Sequence, residues 1–335
     1  MSDGLHHPNI LICGTGAWGT ALGHILATAG CSVTLWGRNR DKIDYYRETL
    51  QHESLGDTIL CDKMLWTHDL RSVLFMADII ILALPTQSLA GFLKEYLADF
   101  PQNALYVQTA KGIDIQTGQF IPQIMNHYLP KHHHILLSGP SFAQDVVQKK
   151  PTAITLASNS LDDAQKIQTL FEKTPLRPYV SQDILGVALG GAMKNILAIA
   201  AGYVIGHGWG ESAKAALLTR GFQEITRFAQ LFSVDKQTFF GLSCLGDLLL
   251  TANSMQSRNY RYGYELAQHH LSANQNIYTP SYTAEGYYNL QALAPMIADK
   301  QDEFPILNML SRLLAQDITG VEILEYFFTR PTKSE

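Results

Sequence analysis

The sequence predicts an α/β chain: a Rossmann-like parallel-sheet domain comes first and an all-α domain follows it. Three observations predict this. Short, nearly continuous apolar runs alternate with helical patterns over residues 9–180. A glycine-rich turn, Gly14–Gly19, joins the first of those runs directly to the first helix. From residue 184 onward the pattern is almost purely helical.

Taken in order, Asn9–Cys13 (NILIC) reads as a strand, followed by the glycine turn and an Ala/Leu-rich helix ending at Gly30. Ser32–Trp36 (SVTLW) is a second strand. Ile79–Leu84, Ala104–Thr109, Ile135–Ser138 and Thr152–Ala157 supply further strands, with helical stretches between most of them. Runs that are apolar throughout, instead of alternating, belong to a parallel sheet covered on both faces. At Thr174–Asp183 (TPLRPYVSQD) two prolines interrupt the pattern. The boundary is placed there, giving domains 1–181 and 182–335, with Ser181 as the N-cap of a long helix. Helices are then expected at 184–205, 211–232, 239–252, 260–270, 284–298 and 303–316.

Composition narrows the functional classes. The chain has 335 residues, enough for two domains at roughly 150 residues each. Only 16% of residues are charged, and the net charge is −5. A hydrophobic share of 46% is ordinary for a chain that buries a full core, and the deficit of charge argues against a disordered chain and against a nucleic-acid binder, which would show a basic stripe. Cys13, Cys31, Cys61 and Cys244 form no CxxC pair, which fits free thiols in a reducing compartment. Met1–Pro8 lacks the cationic and apolar regions of a secretory signal, so the expected location is cytoplasmic. Ile184–Gly206 is long and apolar enough to suggest a membrane span. Lys194 and Asn195 sit at its centre, where a bilayer would charge roughly 2.5–3.5 kcal/mol for the lysine alone. A buried central helix is therefore expected, with no integral membrane segment. His132–His134, between Pro130 and an apolar run, reads as an exposed loop, and no metal is expected.

The chemistry begins at Gly14-Thr15-Gly16-Ala17-Trp18-Gly19. A GxGxxG that follows a strand and opens a helix is a dinucleotide-binding fingerprint. Gly14 allows the tight turn, Gly16 lets a pyrophosphate approach the backbone, and Gly19 lets the helix lie close to the sheet. At the end of the second strand, Trp36-Gly37-Arg38-Asn39-Arg40 carries no acid for the adenine ribose. Its arginines would suit a 2′-phosphate. The expected cofactor is thus NAD(H) or NADP(H), tilted toward NADP(H), with solvated loop arginines as the alternative. Lys111, at the end of a strand, is placed to enter the ligand crevice. Ser138-Gly139-Pro140-Ser141-Phe142-Ala143 again follows a strand, with small residues that bring backbone amides and the Ser141 hydroxyl near a ligand. Lys194 and Asn195 lie one turn beyond Gly190 on the apolar helix. Burial there should disfavour the ammonium and bring the lysine toward neutrality, the range for proton exchange with an alcohol or alkoxide. Asp247 would orient such a lysine. Arg258 offers a planar fork for a phosphate dianion, and Asn259 a further hydrogen bond.

Together these residues resemble the bacterial-type glycerol-3-phosphate dehydrogenase [NAD(P)+] family over nearly the whole chain. The resemblance rests on GTGAWGTAL at 14–22, LWGR at 35–38, AKG at 110–112, SGPSFA at 138–143, LGGAMKN at 189–195, GD at 246–247, SRN at 257–259 and AEGY at 284–287. It implies reversible hydride transfer between a nicotinamide cofactor and sn-glycerol 3-phosphate, giving glycerone phosphate and supplying glycerophospholipid synthesis. It implies Lys194 as proton acceptor and Asp247 as its support. Lys111, Gly139, Ser141, Lys194, Asn195, Asp247, Ser257, Arg258 and Asn259 are the implied substrate positions. Gly14, Gly16, Ala17, Trp18, Gly19, Arg38, Lys111, Ala143, Arg258, Thr283 and Glu285 are the implied cofactor positions. A small phosphorylated substrate and a homodimer follow from the same resemblance. Cys244 before Leu245-Gly246, and Tyr260 after SRN, depart from the family pattern without removing a group the chemistry requires. Two other readings stay open: a different dehydrogenase of the same two-domain plan, and a non-catalytic nucleotide sensor.

Overall fold

The structure, a computed structural model, describes residues 8–272, 278–315 and 317–323. The peptide Met1–His7, read above for a secretory signal, lies outside the described residues, as does Gln316 at the end of the last expected helix. Among the described residues the chain falls into two compact units. The first takes the chain to Lys111 and adds residues 119–191 and 237–247. The second comprises residues 112–118, 192–236 and the described chain from 248 onward.

The first unit opens with β1 (Asn9–Cys13), α1 (Ala17–Thr28), β2 (Ser32–Trp36), α2 (Arg40–Thr49), β3 (Leu65–Thr67) and α3 (Arg71–Leu74). It continues with β4 (Ile79–Leu82), α4 (Thr86–Glu95), β5 (Leu105–Gln108), α5 (Ile121–Tyr128), β6 (His133–Ser138) and α6 (Ala143–Val147). β7 (Thr152–Ala157), α7 (Leu161–Thr169) and β8 (Leu176–Ser181) complete its sheet. The strand order is β3-β2-β1-β4-β5-β6-β7-β8. β4 is buried at every position, and Ile10, Ile12, Val33, Leu35, Ile79 and Ile81 join one core cluster. That is what apolar runs without polar alternation dictate for a sheet covered on both faces. The order reverses between β1 and β4, so a crevice opens at the carboxyl end of β1, where ligands of such sheets bind.

Four expectations are corrected in this unit. The sheet is parallel except at β6–β7, which pair antiparallel. The proline-interrupted stretch contains a strand, β8, with Pro178 opposite Ile154. β8 is an edge strand, the place in a sheet that tolerates a residue without N–H. His133 and His134 are not loop residues but the first two of β6. His133 Nδ1 lies 2.5 Å from Asp163 Oδ2, and His134 Nε2 lies 2.8 Å from the Leu129 carbonyl. The long helix, α8 (Ile184–Gly206), is capped by Asp183 and not by Ser181, because Asp183 Oδ1 accepts from the Gly186 N–H at 2.9 Å. Ser181 ends β8, and its Oγ accepts from the Asp183 N–H at 3.2 Å. Asp183 also ties residues 237–247 to this unit, since Thr238 Oγ1 donates to Asp183 Oδ2 at 2.7 Å.

The second unit is helical: α8 from Ala192 onward, α9 (Glu211–Ala229), α10 (Asp247–Thr251) from Leu248 onward, α11 (Arg258–Leu271), α12 (Glu285–Ile297) and α13 (Pro305–Leu314). Among the described residues α8 is the one helix long and apolar enough to cross a membrane, and 89% of its apolar window is buried. Its glycines have a packing cause. A Cβ on Gly202 would collide with the Tyr260 carbonyl of α11, and one on Gly263 with the Ile199 carbonyl of α8. The two helix backbones therefore touch directly, which side chains would prevent. Asn289 of α12 is fully buried. Its Oδ1 accepts from the Ile113 N–H and its Nδ2 donates to the Ala192 carbonyl, both at 3.0 Å, which fastens residues 112–118 to α8.

Candidate active site

The glycine turn after β1 has the form a dinucleotide needs. Gly14 sits at φ +119° and donates its N–H to the Trp36 carbonyl at 2.9 Å. A Cβ there would run into the Ala83 carbonyl, and one on Gly19 into the Gly14 carbonyl, so both positions require glycine. Gly16 differs. It is exposed, has ordinary extended backbone, and a Cβ placed on it meets nothing within 4 Å. Open space over a bare peptide at the N-terminus of a 12-residue helix is what a pyrophosphate requires, so these residues fit the group. Ala17 and Trp18, half-buried, form the first turn of α1. Arg38 is exposed just beyond β2. Arg40, the other arginine there, is the first residue of α2 and pairs with Asp44 at 3.7 Å. Ala143 begins α6, which packs on α1.

Further along the same unit, four expected substrate positions come together. Lys111 Nζ donates to Asp247 Oδ2 at 2.7 Å and to the Gly139 carbonyl at 3.0 Å. Ser141 Oγ donates to that same carbonyl at 3.2 Å. Gly139 adopts φ +138°, and a Cβ on it would lie 2.9 Å from Ile154 Cα. The Asp247 side chain is 4% exposed and that of Lys111 20%. The ion pair is thus shielded on its acidic side and open on its basic side. Gly191 of α8 lies along the Lys111 stem, where a Cβ would sit 3.5 Å from Lys111 Cγ. Gly190 backs onto Cys244, at 2.6 Å for a hypothetical Cβ. The sequence expects Asp247 to orient a lysine, and a lysine it holds is Lys111.

In the second unit Lys194 and Asn195 are both buried. Lys194 Nζ donates to Thr251 Oγ1 at 2.9 Å. Asn195 Oδ1 accepts from Asn259 Nδ2 at 2.8 Å, and Asn259 Oδ1 accepts from the Gly286 N–H at 2.9 Å. Ser257 caps α11, its Oγ accepting from the Tyr260 N–H at 3.2 Å. Arg258, the first residue of that helix, is exposed. Thr283 is exposed, and Glu285 is half-buried in the first turn of α12, next to Gly286. A buried amine that donates to a hydroxyl, beside a chain of side-chain amides, can exchange a proton with a ligand oxygen and donate hydrogen bonds to it.

Sequence reasoning assigned no role to Thr251. The available signal was its spacing of four from Asp247, which places both on one face of a helix. Lys214 is a second such residue. It is buried on α9, donates to Asn253 Oδ1 at 2.9 Å and pairs with Glu211 at 2.6 Å, which secures the segment leading to Ser257. No pattern in the sequence marks it.

Residues 9–164 match the family model described as NAD-dependent glycerol-3-phosphate dehydrogenase N-terminus, and residues 183–325 match the corresponding C-terminus. A relative from Brucella ovis, glycerol-3-phosphate dehydrogenase [NAD(P)+], is 37% identical over 327 residues, covering 97% of this chain and 98% of its own. One of the same name from Staphylococcus aureus is 34% identical, covering 97% and 99%. A solved structure of glycerol-3-phosphate dehydrogenase from Coxiella burnetii superposes with a TM-score of 0.88 at 29% identity, covering 96% of this chain and 99% of that one.

Proposed function

The chain belongs to the NAD-dependent glycerol-3-phosphate dehydrogenase family, and from that premise we propose how its own residues divide the work. The activity is NAD(P)-dependent interconversion of sn-glycerol 3-phosphate and glycerone phosphate. Residues 1–181 seat the cofactor, and residues 182–335 supply the proton-transferring lysine.

Bound NAD(P) supplies the hydride acceptor for the alcohol and the hydride donor for the ketone. Gly16, on the turn that Gly14 and Gly19 make possible, would receive its pyrophosphate on bare backbone, beside Ala17 and Trp18 in the first turn of α1. Arg38 and Ala143 complete the cofactor seat on this unit, and Thr283 and Glu285 are the cofactor positions of the helical unit. Lys194 Nζ takes the hydroxyl proton on oxidation and returns one to the developing alkoxide on reduction. Thr251 aims that amine, and Asn195 and Asn259 hold the polar wall beside it. Lys111, fixed by Asp247 and the Gly139 carbonyl, contributes positive charge. Arg258 and Ser257 hold the phosphate, so that binding energy remote from the reacting carbon fixes its orientation.

The observation that carries this reading is the buried Lys194 Nζ donating to Thr251 Oγ1 at 2.9 Å. Steady-state reduction of glycerone phosphate tests it: Lys194→Ala lowers turnover by about 100-fold or more while NAD(P)H binding persists, and turnover near wild type overturns it. The absence of an acid after β2 and the presence of Arg38 support a preference for NADP(H). The product, sn-glycerol 3-phosphate, is the backbone of glycerophospholipids, and the enzyme supplies it in the cytoplasm as a homodimer.

A further inference from the structure

His52 lies between α2 and β3, outside every motif described above, yet it is 3% exposed. Its ring makes two hydrogen bonds of opposite sense. Nδ1 is 3.1 Å from the Ser54 backbone nitrogen and Nε2 is 3.0 Å from the Thr15 carbonyl oxygen. A backbone N–H only donates and a carbonyl only accepts, so Nδ1 must accept and Nε2 must carry the hydrogen. The tautomer with its hydrogen on Nε2 satisfies both.

The ring is held in place from below. It stacks on Tyr46 with centroids 5.0 Å apart and planes 17° apart. Tyr46 OH donates to Glu53 Oε2 at 2.8 Å, and Glu53 Oε1 accepts from Lys42 Nζ at 2.6 Å. Thr15 is also gripped through its side chain, which occupies the space that a Cβ on Gly37 would need.

Thr15 C=O and Gly16 N–H belong to one peptide plane. In a trans peptide they point in opposite directions. Fixing the carbonyl toward His52 therefore aims the Gly16 N–H away from it, on the residue whose surroundings are open. We propose that His52 is a positioning residue for the cofactor: by holding the Thr15 carbonyl, it pre-sets the Thr15–Gly16 peptide for the dinucleotide pyrophosphate. Preorganisation of this kind strengthens ground-state cofactor binding and leaves the chemical step alone. The inference rests on the cofactor seat proposed at Gly14–Gly19.

The test uses the full chain, with dissociation constants of NADPH, NADH and ADP-ribose measured by calorimetry. ADP-ribose carries the pyrophosphate without the nicotinamide, so its affinity reports the turn and not the catalytic end. A glutamine amide reaches the place of Nε2 and keeps a donor for Thr15, whereas an asparagine amide reaches only the place of Nδ1. His52→Asn and His52→Phe are expected to weaken all three ligands about tenfold, the worth of one lost buried hydrogen bond, while His52→Gln stays within about twofold of wild type. Turnover at saturating cofactor and KM for glycerone phosphate should not change in any of the three. Wild-type affinity in His52→Asn overturns the proposal, and so does equal weakening in His52→Gln and His52→Asn, which would mark a merely structural ring. If His52→Phe fails to fold, the Gln and Asn pair still decides, since each loses one hydrogen bond. Gly16→Val separates this proposal from the reading beneath it. If that variant binds cofactor normally, the seat itself is misplaced; if it binds weakly while His52→Asn binds normally, only the role of His52 falls.

Discussion

Lys111 and Asp247, 136 residues apart in sequence, are joined by a 2.7 Å hydrogen bond from Nζ to Oδ2. The carboxylate is almost fully enclosed, and the ammonium is one-fifth exposed. That asymmetry makes the pair an oriented cation: the charge is anchored on its buried side and reaches solvent on the other. Enclosed pairs are costly to break from one side, because the remaining charge loses its compensation. Asp247→Asn preserves size and removes the charge. It is expected to lower turnover about tenfold or more, and to reduce the thermal unfolding midpoint by several degrees. Steady-state kinetics and calorimetry check both; unchanged turnover would show that the pair is structural only.

Thr251 makes a sharper test of the lysine it holds. Valine has the shape of threonine without the hydroxyl, and serine keeps the hydroxyl without the methyl. With Lys194 Nζ donating to Thr251 Oγ1, Thr251→Val should misaim the amine and cost about tenfold to a hundredfold in turnover, the range of a positioned acid–base group. Thr251→Ser should retain most activity. The readout is turnover at saturating cofactor and substrate, and equal rates in the two variants would contradict the assignment.

These two residues also show what the sequence made legible. Lys194 stood out because a charged residue in an apolar helix is conspicuous in one dimension. Thr251 did not, because a threonine ending a short apolar turn has no such contrast. The same logic divides the fold. β1, β2 and β4 announce themselves as apolar runs, and Gly14–Gly19 follows β1 directly. β3 has three residues, with Leu65 63% exposed, and β8 contains a proline, so neither carries a buried-strand pattern. Edge strands lack one neighbour, and with it the demand for apolar residues on both faces. The antiparallel β6–β7 pairing leaves no local trace either, since both strands are buried toward their β6 and β7 C-terminal ends as parallel ones would be. His52 is legible only in three dimensions, because its partner, Thr15, is 37 residues away.

We propose that Arg38 sets the cofactor preference. Arg40 faces Asp44 in an exposed i,i+4 pair, while Arg38 is exposed beside the end of β2. An exposed guanidinium that meets a 2′-phosphate bidentately adds affinity for NADPH and none for NADH. Arg38→Ala is expected to weaken NADPH by about tenfold and to leave NADH within about twofold. Parallel titrations decide: an enzyme that prefers NADH, with affinities indifferent to Arg38→Ala, removes the basis for an NADP(H) preference.

The helical unit carries its own pH dependence, remote in sequence from the nucleotide turn. Tyr203 OH lies 3.0 Å from both His270 Nδ1 and His207 Nε2, and His207 stacks on Trp209 at 4.9 Å. Burial lowers the pKa of His207, and His270 lowers it further; burial likewise lowers that of His270, with His269 acting in the same sense. A histidine whose folded pKa lies below its unfolded value of 6.5 binds its proton more readily unfolded. Its contribution to stability is therefore intact above 6.5 and is lost as pH falls from there through the folded value. The unfolding midpoint should be flat from pH 8 to 7 and decline below about 6.5. His24, His132 and His134 are lowered by burial too and add slope of the same sign. The cluster's share is isolated by His270→Gln, which removes one titrating ring. Unfolding midpoints across this range should fall less steeply in that variant than in the wild type, even though its midpoint at pH 8 is lower for want of the Tyr203 contact. Parallel curves for the two proteins would show that the cluster stays neutral or unfolds elsewhere first.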